Sequence, residues 1–259
     1  MSSLPEIMIA PNGARRNKTD HPQLPLTVEE IVSTANECWQ AGAGGIHVHV
    51  RDENGLHTLN KGLYREVINE LKVQTPGMFT QITTESVGQY SAIEQRQVVI
   101  DIGPSATSIS IAEMFSDRDR NAVLDFYNWC HHSGILVQHI IYSVQDIRIL
   151  EDLLESSPHL KNDSLQILFV LGRYSHNLES KPADLDVFHE WLLIQTFKPD
   201  WAVCAFGKNE TNCLVAAYKQ GGKIRVGFEN SLWNSNGEIA LSNADRVNDV
   251  KNAIDKLSL

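Results

Sequence analysis

The chain has 259 residues, 42% of them hydrophobic, enough to bury one large core or two small ones. Its formal net charge of −10, from 32 acidic and 22 basic side chains, excludes nucleic acid or an anionic membrane as the main partner. Four cysteines without a CxxC pair read as reduced thiols; there is no basic leader, and no run reaches the roughly 18 apolar residues of a membrane span, so a cytoplasmic protein is the default expectation.

Short apolar runs alternate with longer amphipathic ones from end to end. "EIMIAP" around Ile7 predicts the first strand, and Thr27, with Glu30 three residues on, predicts the N-cap of the first helix. "GIHVHVR" predicts a second strand, followed by a helix over "KGLYREVINELKV". The alternation repeats in "FTQITT" with "SAIEQRQVVIDI", "ATSISIA" with "DRNAVLDFYNWCHHSG", and "ILVQHIIY" with "VQDIRILEDLLES". It continues in "LQILFVLG" with "DLDVFHEWLLIQTF", "DWAVCAF" with "NETNCLVAAYKQGG", and "KIRVGFEN" with "NADRVNDVKNAIDKL". Eight strand-helix units of roughly 32 residues each predict an α/β fold, a (β/α)8 TIM barrel forming a single domain over residues 1–259. An open doubly wound sheet is the alternative, and the first strand lacks the glycine-rich phosphate fingerprint that would support it.

In such a barrel, chemistry sits at the carboxyl ends of the strands. The period of two aims His47 and His49 at one face, and places Arg225, Gly227 and Glu229 together on the eighth strand. The first, second and eighth strands are neighbours once a barrel closes, so Glu229 approaches the two histidines. Two imidazoles and a carboxylate leave the fourth position of a tetrahedral zinc open, as catalytic sites do. Iron, manganese or nickel accept the same donors, and a pair of satisfied core histidines is the other reading. The 14-residue stretch "PNGARRNKTDHPQL" is long for a strand-to-helix loop, which marks it as functional. His139 faces into or out of the barrel according to register.

The motifs "NGARRNKTDHPQLPLTVEE", "AGAGGIHVHVRDENG", "QITT", "FVLG", "WAVCAFGK" and "GGKIRVGFENSLW" resemble those of the β-keto acid cleavage enzymes, nearly from end to end. The resemblance implies one Zn2+ per chain, held by His47, His49 and Glu229. It implies condensation of a β-keto acid with acetyl-CoA as co-substrate, giving acetoacetate and a new acyl-CoA; a divalent cation stabilises the enolate such a reaction needs. Arg225 and Thr83 match residues that assist at the reacting centre, and Arg15, Thr83, Ser108 and Asn230 are the expected substrate-binding positions. A homo-oligomer, dimer or tetramer, is implied as well.

Three positions depart from the family pattern. Asn230 stands where the family has an aspartate serving as general base, and an amide cannot accept a proton near neutral pH. "TTES" replaces a pattern ending in two glycines, and Glu85, two positions beyond Thr83, is the expected replacement base. Arg15 stands where the aminohexanoate-cleaving member has a glutamate for its substrate's ammonium group. The reversed charge predicts a substrate with an anionic or polar tail, such as a keto-dicarboxylate. Two other readings stay open: a metal-assisted carbon-carbon lyase or aldolase without CoA, and a catalytically impaired homologue that binds metal and keto acid.

Overall fold

In a computed structural model, residues 3–173 and 175–258 are described. Among them the strands are β1 (Ile7–Ile9), β2 (Gly45–Val48), β3 (Val50–Arg51), β4 (His57–Thr58), β5 (Phe79–Thr83), β6 (Ala106–Ser110), β7 (Leu136–Ile141), β8 (Gln166–Leu171), β9 (Asp200–Ala205) and β10 (Lys223–Val226). The helices are α1 (Val28–Gln40), α2 (Lys61–Gln74), α3 (Ala92–Ile102), α4 (Ile111–Met114), α5 (Arg120–His132), α6 (Val144–Ser156), α7 (Asp186–Leu193), α8 (Glu210–Lys219) and α9 (Asn243–Asp255). Eight strands close in the order β1-β10-β9-β8-β7-β6-β5-β2, all pairs parallel. Closure depends on β1, which pairs Met8 with Arg225 on one side and with Gly45 on the other. The fold is therefore the (β/α)8 barrel and not an open sheet. No described helix is long and apolar enough to cross a membrane.

Period-two alternation sorts each strand between two cores. Ile9, Ile46, Val48, Ile82, Ile109, Ile141, Phe169, Val203 and Val226 face outward and are buried under the helices. Met8, Ile140, Leu168, Val170, Ala202, Cys204 and Phe206 face inward and fill the barrel from one side. The inward positions of β2, β5, β6 and β10 instead carry His47, Gln81, Thr83, Ser108 and Arg225, all buried. Polar side chains in such a place must find partners or a ligand. The helices are fixed at their starts by capping boxes, Thr27 with Glu30, Ser91 with Glu94 and Ser143 with Asp146. Each N-cap contributes about 1 kcal/mol.

Two strands end earlier than the alternation predicts. The second breaks at His49, and its continuation β3 leaves the barrel to pair antiparallel with β4, Val50 opposite Thr58. The eighth ends at Val226, and Gly227, with φ +138°, starts a turn. A side chain at residue 227 would place its Cβ 2.5 Å from the carbonyl oxygen of Ala10, so only glycine fits. His139 faces outward against Tyr127, ring centroids 5.1 Å apart, and takes no part in the barrel mouth. All four cysteines are buried and free.

Candidate active site and metal centre

At the carboxyl end of the barrel, Nε2 of His47 and Nε2 of His49 lie 3.1 Å apart, both rings 1% exposed. Oε2 of Glu229 stands 3.8 Å from the first and 3.6 Å from the second. The three donor atoms lie within 4.8 Å of one another, the only such cluster among the described residues. Glu229 does not arrive by continuation of the strand, as the alternation rule expected. The turn after Gly227 brings it there, with its backbone N–H donating to Ala10 at 3.1 Å. Glu229 is then backed by Gly13, whose φ is +60° and whose added Cβ would meet the Glu229 Cγ at 2.5 Å.

The direction of the hydrogen bonds behind His47 settles its tautomer. The carbonyl of Ile167 can only accept, so the Gln138 amide nitrogen donates to it at 3.4 Å. The Gln138 oxygen then accepts from Gln81 at 3.1 Å, and the Gln81 oxygen accepts from His47 Nδ1 at 2.9 Å. Nδ1 therefore carries the proton, and the Nε2 lone pair points at the cluster. Burial, then the nearby charge of Arg225, drives His47 well below the usual imidazole range; burial, then His57, does the same to His49. Both rings are neutral and available as ligands. Oε2 of Glu229 is buried with no hydrogen-bond donor. An orphaned carboxylate oxygen beside two neutral imidazole nitrogens is a donor set that could hold a divalent cation.

Around this cluster is a cleft of about 130 Å³, open on one side and lined by Arg15, Arg16, Thr83, Glu85, Arg173, Arg225 and Glu229 among others. Arg225, 3% exposed, donates to Glu229 Oε1 at 3.2 Å and to Cys204 Sγ at 3.4 Å, while its Nε and Nη1 have no partner. Thr83 Oγ1 accepts the Glu85 N–H at 3.0 Å, which leaves the hydroxyl proton to donate elsewhere. The Glu85 carboxylate lies 4.0 Å from His49 Nδ1 and 3.9 Å from Arg173. Burial and then the charge of Glu229 push Glu85 up to about 7.

The remaining expected residues are placed differently. Ser108 faces inward beside Thr83 but lies outside the cleft lining, and Ser110, one inward position higher, lines it instead. Asn230 is fully buried, also outside the lining, with both amide atoms unpartnered. Arg15 is exposed on the cleft wall.

Several contributors escaped the sequence reading. Arg51 ties down the long loop after β1, donating to the carbonyls of Gly13 (3.1 Å, from Nε) and Arg16 (3.0 Å). Arg16, a candidate beside Arg15 for facing the ligand from the loop sequence, instead donates to the carbonyls of Phe228 and Asn230 and so braces the Glu229 turn. Arg173, 5.5 Å over the Phe206 ring, adds a second charge to the wall. A signal existed for Gln81 alone, two residues before Thr83 in "QITT" and hence on the same face.

The family model for the beta-keto acid cleavage enzyme matches residues 6–259. The 3-keto-5-aminohexanoate cleavage enzyme of Acetoanaerobium sticklandii is 28% identical over 250 residues, covering 92% of this chain and 87% of that protein. The 3-oxoadipate:acetyl-CoA acetyltransferase of Cupriavidus necator is 23% identical over 250 residues, covering 94% of this chain and 86% of that protein. A solved ternary complex of ObcA with a C4-CoA adduct and oxalate superposes with a TM-score of 0.76 at 15% identity, covering 92% of this chain and 65% of that one. That likeness concerns the fold. By the match over nearly its whole length, the chain belongs to the beta-keto acid cleavage enzyme family.

Proposed function

We propose that this protein is a metal-dependent enzyme that condenses a β-keto acid with acetyl-CoA to give acetoacetate and a new acyl-CoA. The observation that carries the proposal is the cluster of two neutral imidazoles and one orphaned carboxylate beside a second carboxylate, Glu85. Use of acetyl-CoA is supported by the relatives, several of which bear names of acetyl-CoA-dependent transferases. His47, His49 and Glu229 would hold the cation, which when bound supplies Lewis-acid stabilisation of developing negative charge.

Glu85 is the base in this reading. Glu229 is committed as a ligand, and Glu85 is the other carboxylate among the described residues that line the cleft. It removes a proton from the carbon between the keto and carboxyl groups; the enolate carbon attacks the acetyl thioester and expels CoA thiolate, the thiolate attacks the original keto carbonyl, and cleavage of the bond from that carbonyl to the same carbon releases the new acyl-CoA and, once Glu85 returns the proton, acetoacetate. The unpartnered Nε–H and Nη1–H of Arg225 are buried donors for the oxygens that gain charge. The Thr83 hydroxyl donates on the same side. Ile140, Val170 and Phe206 pack an apolar wall for the substrate stem, and Arg15 with Arg173 at the rim favours an anionic tail.

The test is to measure bound metal and then incubate the protein with acetyl-CoA and β-keto acids bearing cationic, neutral or anionic tails. New CoA esters are read by mass, and acetoacetate is assayed. An acyl-CoA from the anionic-tailed acid, lost on chelation and in Glu229→Gln, is the expected result. Absence of any new ester across the panel overturns the proposal. The buried Asn230 favours one second reading, a keto-acid binder, which metal without turnover would identify.

A further inference from the structure

Neither charged contact of Glu85 is short enough to fix its carboxylate by hydrogen bonding, at 4.0 Å to His49 and 3.9 Å to Arg173. Its backbone is another matter. The Glu85 N–H donates to Thr83 Oγ1 at 3.0 Å, and the Glu85 carbonyl faces His57 Nε2 at 2.8 Å, which must donate to it. On the preceding residue, the Thr84 carbonyl accepts from the Gln95 amide at 2.6 Å. On the following one, Ser86 donates its N–H to Glu113 Oε2 at 3.0 Å and its hydroxyl to Oε1 at 2.9 Å. The same Glu113 Oε2 accepts from Gln95 at 2.7 Å.

Three donors thus converge on the two oxygens of Glu113, and Gln95 links that carboxylate to the residue before Glu85. Both Glu113 oxygens are used as acceptors, and an apolar side chain at residue 113 would leave the Ser86 N–H and the Gln95 amide without this partner. The arrangement ties α3 and α4 to one tripeptide, the stretch that departs from the family's glycines. A segment of this kind, placed just beyond the end of β5, would otherwise have freedom to move. Val87, immediately after it, has φ +51°, a strained value that the clamp helps to hold.

We propose that Glu113 is the positioning residue for Glu85, setting where the base stands relative to the substrate carbon. The proposal rests on Glu85 being that base. Its consequence is that Glu113, although it does not line the cleft, governs proton removal without governing substrate affinity.

Acetoacetate makes the test independent of the unidentified tail, since it is the common product of the reaction. The metal-loaded full-length protein is incubated with acetoacetate in D2O, and exchange at the carbon between keto and carboxyl groups is followed by NMR. Glu85 takes one proton from that carbon and the enolate takes back a deuteron, so no co-reactant is needed. Glu113→Leu, which removes both acceptor oxygens, should slow exchange about 10- to 100-fold, the scale of a misplaced reacting group. The half-saturating acetoacetate concentration and bound metal should not change. Glu113→Asp should recover part of the rate, and Ser86→Ala, which deletes one hydrogen bond, should cost about 2- to 10-fold. Should Glu113→Leu fail to fold, Ser86→Ala and Glu113→Asp decide. Exchange at the wild-type rate in the Glu113 and Ser86 variants, with exchange abolished in Glu85→Gln, overturns the positioning role alone. Exchange absent in the wild type or undiminished in Glu85→Gln overturns the assignment of the base, and with it this proposal.

Discussion

Nδ1 of His47 lies 2.9 Å from Oε1 of Gln81, and this contact determines which nitrogen of His47 faces the ligand cluster. The acceptor chain ends on the Ile167 carbonyl, so its direction cannot reverse without leaving a buried group unsatisfied. Such partners commonly change metal affinity 10- to 100-fold. Gln81→Leu should therefore weaken metal binding by about that factor, measured by competition with a coloured chelator, while circular dichroism is retained. Unchanged affinity would show that packing alone holds His47.

Gly13 fits against Glu229 because it has no side chain and because its φ of +60° costs glycine little. Gly13→Ala introduces about 1–2 kcal/mol of backbone strain and pushes against the Glu229 Cγ. The expected outcome is reduced metal stoichiometry, read by elemental analysis, with a modest fall in melting temperature. Full metal occupancy in this variant would count against Glu229 as a ligand.

His139 is buried between the barrel and α5, and burial brings it down to about 4. Its folded value lies below the unfolded value of about 6.5, so the unfolded chain binds the proton first as pH falls. The associated stability is complete above pH 6.5 and is lost as pH drops toward 4, by up to about 3 kcal/mol. His139→Leu should flatten urea-measured stability across that window. A slope equal to that of the parent protein would assign the acid sensitivity to other groups.

Arg15 sits on the exposed wall of the cleft, with Arg173 also lining it. Arg15→Glu should shift the ratio of kcat/KM for anionic-tailed over cationic-tailed β-keto acids by about 10-fold or more toward the cation. Equal ratios in the two proteins would place the tail elsewhere.

The barrel was legible because each strand buries both faces and each helix one, so apolar runs and amphipathic stretches alternate in the chain itself. The capping boxes at Thr27, Ser91 and Ser143 are equally local, since cap and partner are three residues apart. The pair His47 and His49 follows from the period of two. Glu229 does lie beside that pair, but the route by which the alternation placed it there fails at Gly227, where the strand has already ended. Where a strand stops depends on the partners that closure provides, and no short window contains them.

Ser108 and Asn230 show the same limit. Period and motif put Ser108 on the inward face, yet depth along the barrel decides that Ser110 and not Ser108 reaches the cleft. Asn230 is adjacent to Glu229 in sequence, yet it is fully buried and does not line the cleft. Arg16, Arg51, Arg173, Glu113 and the glutamine relay are ordinary residue types in the chain; their roles come from contacts such as the 57 residues separating Gln81 from Gln138. The sequence by itself determined the fold class, the family and the residue types of the candidate ligand cluster, because these rest on periodicity and on motifs a few residues long. Only the tertiary structure decided which atoms converge, which tautomer His47 adopts and what holds Glu85, because barrel closure brings distant strands to within hydrogen-bond reach.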